Sequence, residues 1–284
     1  MKHIKLFENF DNKLNKELLI EYYNVGYIGE HTINMYGSVD VDGDVDFRGL
    51  EFDEIPFKFG KVTGNFKISK IKIKDLTNSP REVGGDFIAE ECGLTTLIGG
   101  PIIVGGIYDV YDNKLKSLEG APSTCSTFDC RINHLETLEH SPQTINGNFY
   151  CGNNILTSLL GGPKIVNGDF DCRFSSFLKS FIGSPQEIHG DYNCEVTGIK
   201  TLIGLTSDID GYLFSSDNLK LIYNILKVDL ECVNNFYNFN ILDNLEDDKQ
   251  TLNMKRLRRF IELYDLKELS EEQLKELENN FNII

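Results

Sequence analysis

Glycine recurs in this sequence at intervals of about 21 residues, and no other feature restricts the fold as strongly. Eight glycines keep this spacing, with one double interval of 41 residues: Gly43, Gly64, Gly85, Gly106, Gly147, Gly168, Gly190 and Gly211. Prolines keep the same period independently: Pro80, Pro101, Pro122, Pro142, Pro163 and Pro185. The double interval contains one coil, around Cys125 to Leu138, that lacks its glycine. Two residue types with one period predict a solenoid of about nine coils over residues 37–222.

Apolar residues occupy fixed positions in every coil. One coil shows them all, in the order Ile145, Phe149, Cys151, Leu156 and Leu159. The aromatic residue and the cysteine are two positions apart, which predicts a short strand with both side chains inward. Each coil has too few apolar residues to fold alone, so we expect the strands of neighbouring coils to pair in parallel.

Four cysteines share the inward register: Cys130, Cys151, Cys172 and Cys194. They suggest a metal or redox site, but no histidine shares their column. A buried thiol otherwise packs as a small hydrophobic group. We therefore predict a packing column and no cofactor.

The segment from Phe149 to Leu156 resembles the conserved half of a leucine-rich repeat, with asparagine three residues after the cysteine. That position holds Cys92, Asn113, Asn133, Asn154 and Asn218, whereas Ile71, Ser175 and Thr197 depart from it, so we expect a broken asparagine ladder. The full coil is similar to leucine-rich-repeat-like arrays of large bacteriophages. The opening segment Met1–Glu8 is similar to the leaders of phage proteins. The resemblance implies a mostly β solenoid with a parallel sheet on one face. It further implies a phage protein acting in an infected bacterium, where it inhibits or redirects a host protein such as a defence factor.

The two ends have helical patterns instead of the repeat. Within residues 1–36, apolar side chains from Phe7 to Leu19 have helical spacing and predict an amphipathic helix that caps the solenoid. Residues 223–284 are predicted to form a helical segment, with one helix over Met254–Tyr264 and a capping box at Ser270 that opens another. The basic residues of Lys255–Arg259 are either a solvated helix face or a site for an acidic partner or nucleic acid.

Composition restricts the class of partner. A net charge of −16 argues against direct binding to nucleic acid or to anionic membrane. No apolar run has the length of a membrane helix, and acidic residues interrupt the start where a secretory signal would be apolar. Seven cysteines, without CxxC spacing, suit a reducing compartment. These features predict a cytoplasmic protein.

No catalytic motif is present, and we expect a protein that is not an enzyme. The five histidines are scattered, and the chain lacks HExxH, GxSxG and P-loop patterns. The residue after the periodic glycine is polar: Asp44, Asn65, Asp86, Asn148, Asp169 and Asp191. Calcium-binding solenoids use a nine-residue GGxGxD period that is absent here. We expect these side chains to bond to backbone at the bend or to face water.

The outward positions of the strands vary from coil to coil, as expected of a binding face. Tyrosine and arginine among them are typical interface anchors. We predict that a protein partner binds residues of this acidic sheet face: Asp109, Tyr111, Asp129, Arg131, Tyr150, Asp171, Arg173 and Asn193. An unspecialised solvated face remains open, as do two other functions. One is a virion component, suggested by the Leu6–Glu8 triplet, which is similar to sites of phage prohead proteases, and the other is an acidic mimic of nucleic acid.

Overall fold

The computed structural model describes residues 27–199, 204–206, 208–211, 213–214, 242–243, 251–263 and 268–283. The fold is a parallel β-solenoid of about eight turns, spaced by about 21 residues, with two short helices near the C-terminus. The predicted repeat fold is therefore confirmed. The last of the nine predicted coils is described only as far as Phe214, and the predicted N-terminal helix lies outside the described residues. Within the described ranges no helix is long and apolar enough to cross a membrane.

The chain divides into two compact units. The first comprises Met1–Lys114 and Gly120–Cys125, and the second comprises Leu115–Glu119 and Ser126–Ile284. The described strands of the first unit are β1 Tyr27–Ile33, β2 Val39–Asp46, β3 Phe59–Val62, β4 Phe66–Lys67, β5 Glu82–Val83, β6 Phe87–Ile88, β7 Ile103–Val104 and β8 Ile107–Asp109.

Each coil of the first unit contributes to two parallel ladders. One ladder runs β2-β4-β6-β8 and the other runs β2-β3-β5-β7, because the long strand β2 takes part in both. The register places Phe66, Phe87 and Tyr108 side by side, and all three are buried. Their rings stack with centroids 5.7 and 5.2 Å apart. The inward aromatic column predicted from the sequence is confirmed in this unit.

The start of the first unit differs from the predicted helical cap. Strand β1 lies within residues 1–36 and pairs antiparallel with β2, from Tyr27 opposite Asp46 to Ile33 opposite Val39. The backbone groups of β2 are thereby paired on the side that has no preceding coil, which a helix could not do. Residues 27–33 are therefore strand where we expected part of a helical cap.

The second unit repeats the same two ladders. Its strands are β9 Thr127–Asp129, β10 Thr144–Ile145, β11 Phe149–Tyr150, β12 Ile165–Val166, β13 Phe170–Asp171, β14 Glu187–Ile188, β15 Tyr192–Asn193, β16 Asp208–Ile209 and β17 Leu213–Phe214. The ladders run β9-β11-β13-β15-β17 and β10-β12-β14-β16, all parallel. Cys130, Cys151, Cys172 and Cys194 are buried in one column, as predicted.

The C-terminal part of the second unit has β18 Leu242–Asp243, β19 Thr251–Leu252, α1 Met254–Leu263, α2 Glu271–Asn280 and β20 Asn282–Ile283. Strand β19 pairs antiparallel with β18 and parallel with β20. The predicted capping box is present, because the Gln273 amide donates to Ser270 Oγ and the Ser270 amide donates to Gln273 Oε1. Leu257, Phe260 and Leu277 are buried.

In most coils the residue after the periodic glycine is polar, and its side chain bonds to the backbone of the next coil. Asp44 Oδ1 accepts from the Asn65 amide, and Asn65 Oδ1 accepts from the Asp86 amide, both at 2.7 Å. In the second unit Asn148 and Asp169 do the same, at 2.8 and 2.9 Å. This confirms that the side chains bond to backbone, and it explains the glycines. At Gly64, Gly85, Gly168 and Gly190 a Cβ would overlap the side-chain oxygen of the preceding coil.

Candidate partner-binding site

Several strands of the sheet end with an outward side chain that bonds to the backbone of the following turn. Asp109 Oδ1 accepts a 2.9 Å hydrogen bond from the Tyr111 amide in the first unit. In the second unit Asp129, Asp171 and Asn193 accept from the amides two residues on, at 3.0, 2.9 and 3.2 Å. Aspartate and asparagine favour this local bond, which turns the chain out of the strand. These residues therefore have a structural role in addition to any contact with a partner.

Two of these aspartates are buried beneath arginine. Asp129 and Asp171 are each 5 % exposed, whereas the side chains of Arg131 and Arg173 are 37 % and 38 % exposed. Arg131 Nε lies 3.0 Å from both carboxylate oxygens of Asp129, and Arg173 Nε lies 3.1 and 2.9 Å from those of Asp171. The terminal nitrogens complete bidentate pairs at 2.5 and 2.7 Å. We expected both carboxylates on the exposed face, but the guanidinium groups cover them.

Tyr150 lies between the two arginine pairs. Its strand β11 pairs with β9 on one side and with β13 on the other, which places Tyr150 opposite Asp129 and Asp171. The guanidinium carbon of Arg131 lies 4.9 Å from the centroid of the Tyr150 ring, within cation–π range. Asn148 Nδ2 donates a 2.5 Å hydrogen bond to the Tyr150 hydroxyl. Both the ring and the hydroxyl are therefore held in place before any partner binds.

Gly152 separates Arg131 from Arg173 in the same outward register. A Cβ at this position would lie 2.6 Å from the carbonyl oxygen of Arg173, so no other residue fits without movement of the backbone. With no side chain there, the exposed surface between the two arginines belongs to their guanidinium groups and Tyr150. We call Arg131, Tyr150 and Arg173 the Arg–Tyr surface.

The other predicted partner-binding residues are divided between the two units. Asp109 and Tyr111 belong to the first unit, where both are half-buried. Asn193 belongs to the second unit and pairs in register with Asp171. The structure thus brings together Asp129, Arg131, Tyr150, Asp171, Arg173 and Asn193.

Sequence reasoning missed one further pair of the same kind. In the first unit Arg48 binds Asp46 at 2.6 Å, and the Arg48 amide donates to the same carboxylate at 3.1 Å. The hydrogen bond from the Arg48 side chain lowers the pKa of Asp46. The signal was present as an Asp-x-Arg tripeptide at the strand end, which also occurs at Asp129 and Asp171.

The basic cluster on α1 lines a groove of about 650 Å³. Lys255, Arg258 and Arg259 contribute the cations, and Glu262 and Glu278 contribute two acids. The groove also contains the apolar side chains Met254, Leu274 and Ile283.

The described cysteines are buried in the core, and burial disfavours the thiolate form of several of them. Burial raises the pKa of Cys92 to about 11 and that of Cys125 to about 12. It also raises the pKa of Cys151 and Cys172 well above the usual range. A thiol needs a lowered pKa to act as a nucleophile near neutral pH. Within the described part of the chain, no three histidine, cysteine or acidic side chains are grouped to hold a metal ion.

Comparison with protein-family models, curated proteins and solved structures finds no match to this chain.

Proposed function

We propose that this protein is a non-enzymatic binding module that recognises another protein through the Arg–Tyr surface. The observation that carries the proposal is the pair of guanidinium groups held by buried aspartates on either side of Tyr150. Arginine and tyrosine held in one conformation lose little entropy on binding, and both are enriched among the residues that dominate binding energy. Such a surface suits a partner that offers carboxylates and an apolar or aromatic side chain.

The biological setting is part of the same proposal. The coil pattern resembles phage-encoded arrays, so we place the protein in the cytoplasm of an infected bacterium, bound to a host protein that it inhibits or redirects. A defence factor is the host protein that this setting favours. The alternatives are a virion component, for which presence in purified particles is the test, and an acidic mimic of nucleic acid.

The buried aspartates favour protein recognition over mimicry of nucleic acid. A mimic must present carboxylates to the solvent in place of phosphates. Asp129 and Asp171 are covered by arginine, and Asp44 and Asp169 bond to backbone amides of the next coil. The acids at these positions thus stabilise the coil stack. A mimic would also lose its partner at raised salt, whereas a desolvated protein interface is less sensitive to salt.

The test is capture of a partner from bacterial lysate by the purified chain and by two variants, Arg131→Ala and Tyr150→Ala. We expect each variant to lower the recovery of a specifically captured protein at least about tenfold, the effect of a contact worth about 1.4 kcal/mol. Arg48→Ala is the matched control, because it removes the same kind of Asp-x-Arg pair outside the Arg–Tyr surface. Unchanged recovery with both test variants contradicts the proposed surface, and an equal loss with Arg48→Ala indicates a general effect on folding.

A further inference from the structure

One residue in almost every coil has a left-handed backbone conformation, at the turn that follows the strand. The residues concerned are Lys70, Glu91, Asp112, Ile132, Asn153, Phe174 and Val196, with φ between 51° and 65°. Gly49 holds the same position in an earlier coil, with φ of 73°. This conformation is easy for glycine and tolerable for asparagine and aspartate, but it is strained for bulky and β-branched side chains.

Ile132, Phe174 and Val196 all depart from this preference, and Phe174 and Val196 do so on neighbouring coils. The Phe174 amide donates to the carbonyl oxygen of Glu195 at 3.1 Å, so the two left-handed residues are neighbours along the stack. Phe174 is 50 % exposed and Val196 is 61 % exposed. Neither side chain is buried deeply enough to offset the strain of its backbone. The turn requires this conformation in almost every coil, so the exposure of Phe174 and Val196, and not their φ values alone, distinguishes this place.

Phe177 adds an independent irregularity at the same place. The interval between Gly168 and Gly190 is 22 residues, one longer than the usual spacing, so this coil holds an additional residue. Leu178 and Phe181 remain buried, as the closing pair is in other coils, whereas Phe177 is 56 % exposed. The insertion therefore presents a third apolar side chain without disturbing the core. We call Phe174, Phe177 and Val196 the Phe174 patch.

Cations flank the two phenylalanines. The guanidinium carbon of Arg173 lies 6.0 Å from the centroid of the Phe174 ring. Lys179 is exposed, and its Nζ donates to the carbonyl oxygen of Ser176 at 3.0 Å, not to a carboxylate among the described residues. Glu195 precedes Val196 on the other side of the patch. Asp171 already pairs with Arg173 through Nε and one terminal nitrogen, so on the side of the phenylalanines an occupant meets apolar surface, the charge of Lys179 and the remaining donors of Arg173.

We propose that the Phe174 patch binds a short acidic segment of another protein, with apolar side chains on the patch and carboxylates on Arg173 and Lys179. Two half-exposed phenylalanines and a valine expose apolar area on the order of 300 Å², a size that on a monomer often marks a binding site. The inference rests on the proposed function and deepens it, because Arg173 belongs to both surfaces. It identifies the chemistry of the partner's segment.

The test is selection of peptides from a random display library with the purified full chain as target. We expect the enriched peptides to combine Asp or Glu with Leu, Phe or another large apolar residue. Each synthesised peptide should bind the variant Phe174→Asn/Val196→Asn at least about tenfold more weakly than the original chain. Replacing the acidic residues of the peptide by lysine should weaken binding by a similar factor. Ile98→Asn, which changes an exposed isoleucine of the first unit, is the matched control and should leave affinity unchanged.

A second measurement separates loss of a binding surface from loss of the fold. Asparagine adopts the left-handed conformation with less strain than phenylalanine or valine, so the double variant should unfold at a temperature higher by about 2 °C or more. A variant that is more stable and binds the peptides more weakly identifies residues kept for function.

The proposal is overturned if no peptide is enriched, if enriched peptides lack the acidic and apolar combination, or if they bind the variant equally well. It is also overturned if the original chain dimerises in sedimentation and the variant does not, because the occupant is then a second copy.

The two proposals can fail separately. Arg131→Ala and Tyr150→Ala leave all three residues of the Phe174 patch in place, and Phe174→Asn/Val196→Asn leaves the Arg–Tyr surface in place. If peptide binding depends on the patch while capture from lysate is insensitive to Arg131 and Tyr150, only the proposed Arg–Tyr surface is wrong.

Discussion

The side-chain oxygen of Asn65 accepts a 2.7 Å hydrogen bond from the backbone amide of Asp86, its counterpart in the next coil. The oxygen occupies the space that a Cβ of Gly85 would need. The periodic glycine and the polar residue after it thus form one structural motif that repeats from coil to coil. The glycine admits the side chain of the preceding coil, and its own coil then supplies the next side chain of the ladder.

Gly85→Ala should lower the free energy of unfolding by about 2–3 kcal/mol, because its Cβ would overlap Asn65 Oδ1 and the backbone of Gly64. Urea denaturation measures the loss. Gly93→Asn is the control in the same unit: Gly93 has φ of 78° and open space around it, which asparagine tolerates. We expect a change below about 1 kcal/mol there. Equal losses at both positions would show that close approach is not the reason for the periodic glycine.

Asn154→Ala should lower the free energy of unfolding by about 2–4 kcal/mol, because buried backbone groups lose their partners. Asn154 Oδ1 accepts from the Leu135 amide at 3.0 Å, and its Nδ2 donates to the carbonyl oxygens of Cys130 and Cys151, both at 3.0 Å. The control is Asn146→Ala, an exposed asparagine in the same coil, for which we expect a change within about 0.5 kcal/mol. Chemical denaturation of both variants decides whether the asparagine ladder stabilises the stack.

The sequence predicted the inward columns well but not what lies over the outward ones. Alternation with period two determines which side of the sheet a residue faces, and Phe149 and Cys151 are buried as it requires. It does not determine whether another side chain covers an outward residue, which is why Asp129 was expected on the surface. The covering arginine is only two residues away, but its rotamer depends on the bidentate geometry of the folded turn.

The left-handed conformation of Phe174 could not be predicted from the sequence either. Phenylalanine at position 174 argues against a left-handed conformation, because sequence reasoning assigns such positions to glycine or asparagine. The backbone bond from the Phe174 amide to Glu195 imposes the conformation from the next coil. Strand β1 was missed for a related reason. Residues 27–33 are ordered by pairing with β2, a contact that local pattern does not contain.

The buried cysteines should resist thiol reagents while the chain is folded. All six described cysteines are buried thiols. Burial also raises the pKa of Cys92 to about 11, so little thiolate is present near neutral pH. In a Cys232→Ser background, which removes the cysteine outside the described residues, we expect labelling at pH 8 to be slower than in urea by a factor of about 1,000 or more. Rapid labelling of Cys151 in the folded chain would contradict its place in a closed core.

The pH dependence of stability should contain a contribution from His189. Its Nδ1 lies 2.7 Å from Asp210 Oδ2, and this hydrogen bond, with the charges of Asp210, Glu187 and Asp208, raises the pKa of His189 above its ordinary value of 6.5. When the pKa of a histidine is higher in the folded state, its protonation stabilises the fold. This stabilisation is complete below the pKa of the unfolded state and is lost as pH rises through the pKa of the folded state. Asp210→Asn should therefore reduce stability at pH 5.5 and change it little at pH 9, and NMR titration of the His189 ring should give a lower pKa in that variant. In a His189→Gln background the same substitution should lose this pH dependence; if the dependence persists there, or if His189 titrates at or below 6.5 in the original chain, the ion pair does not contribute in solution.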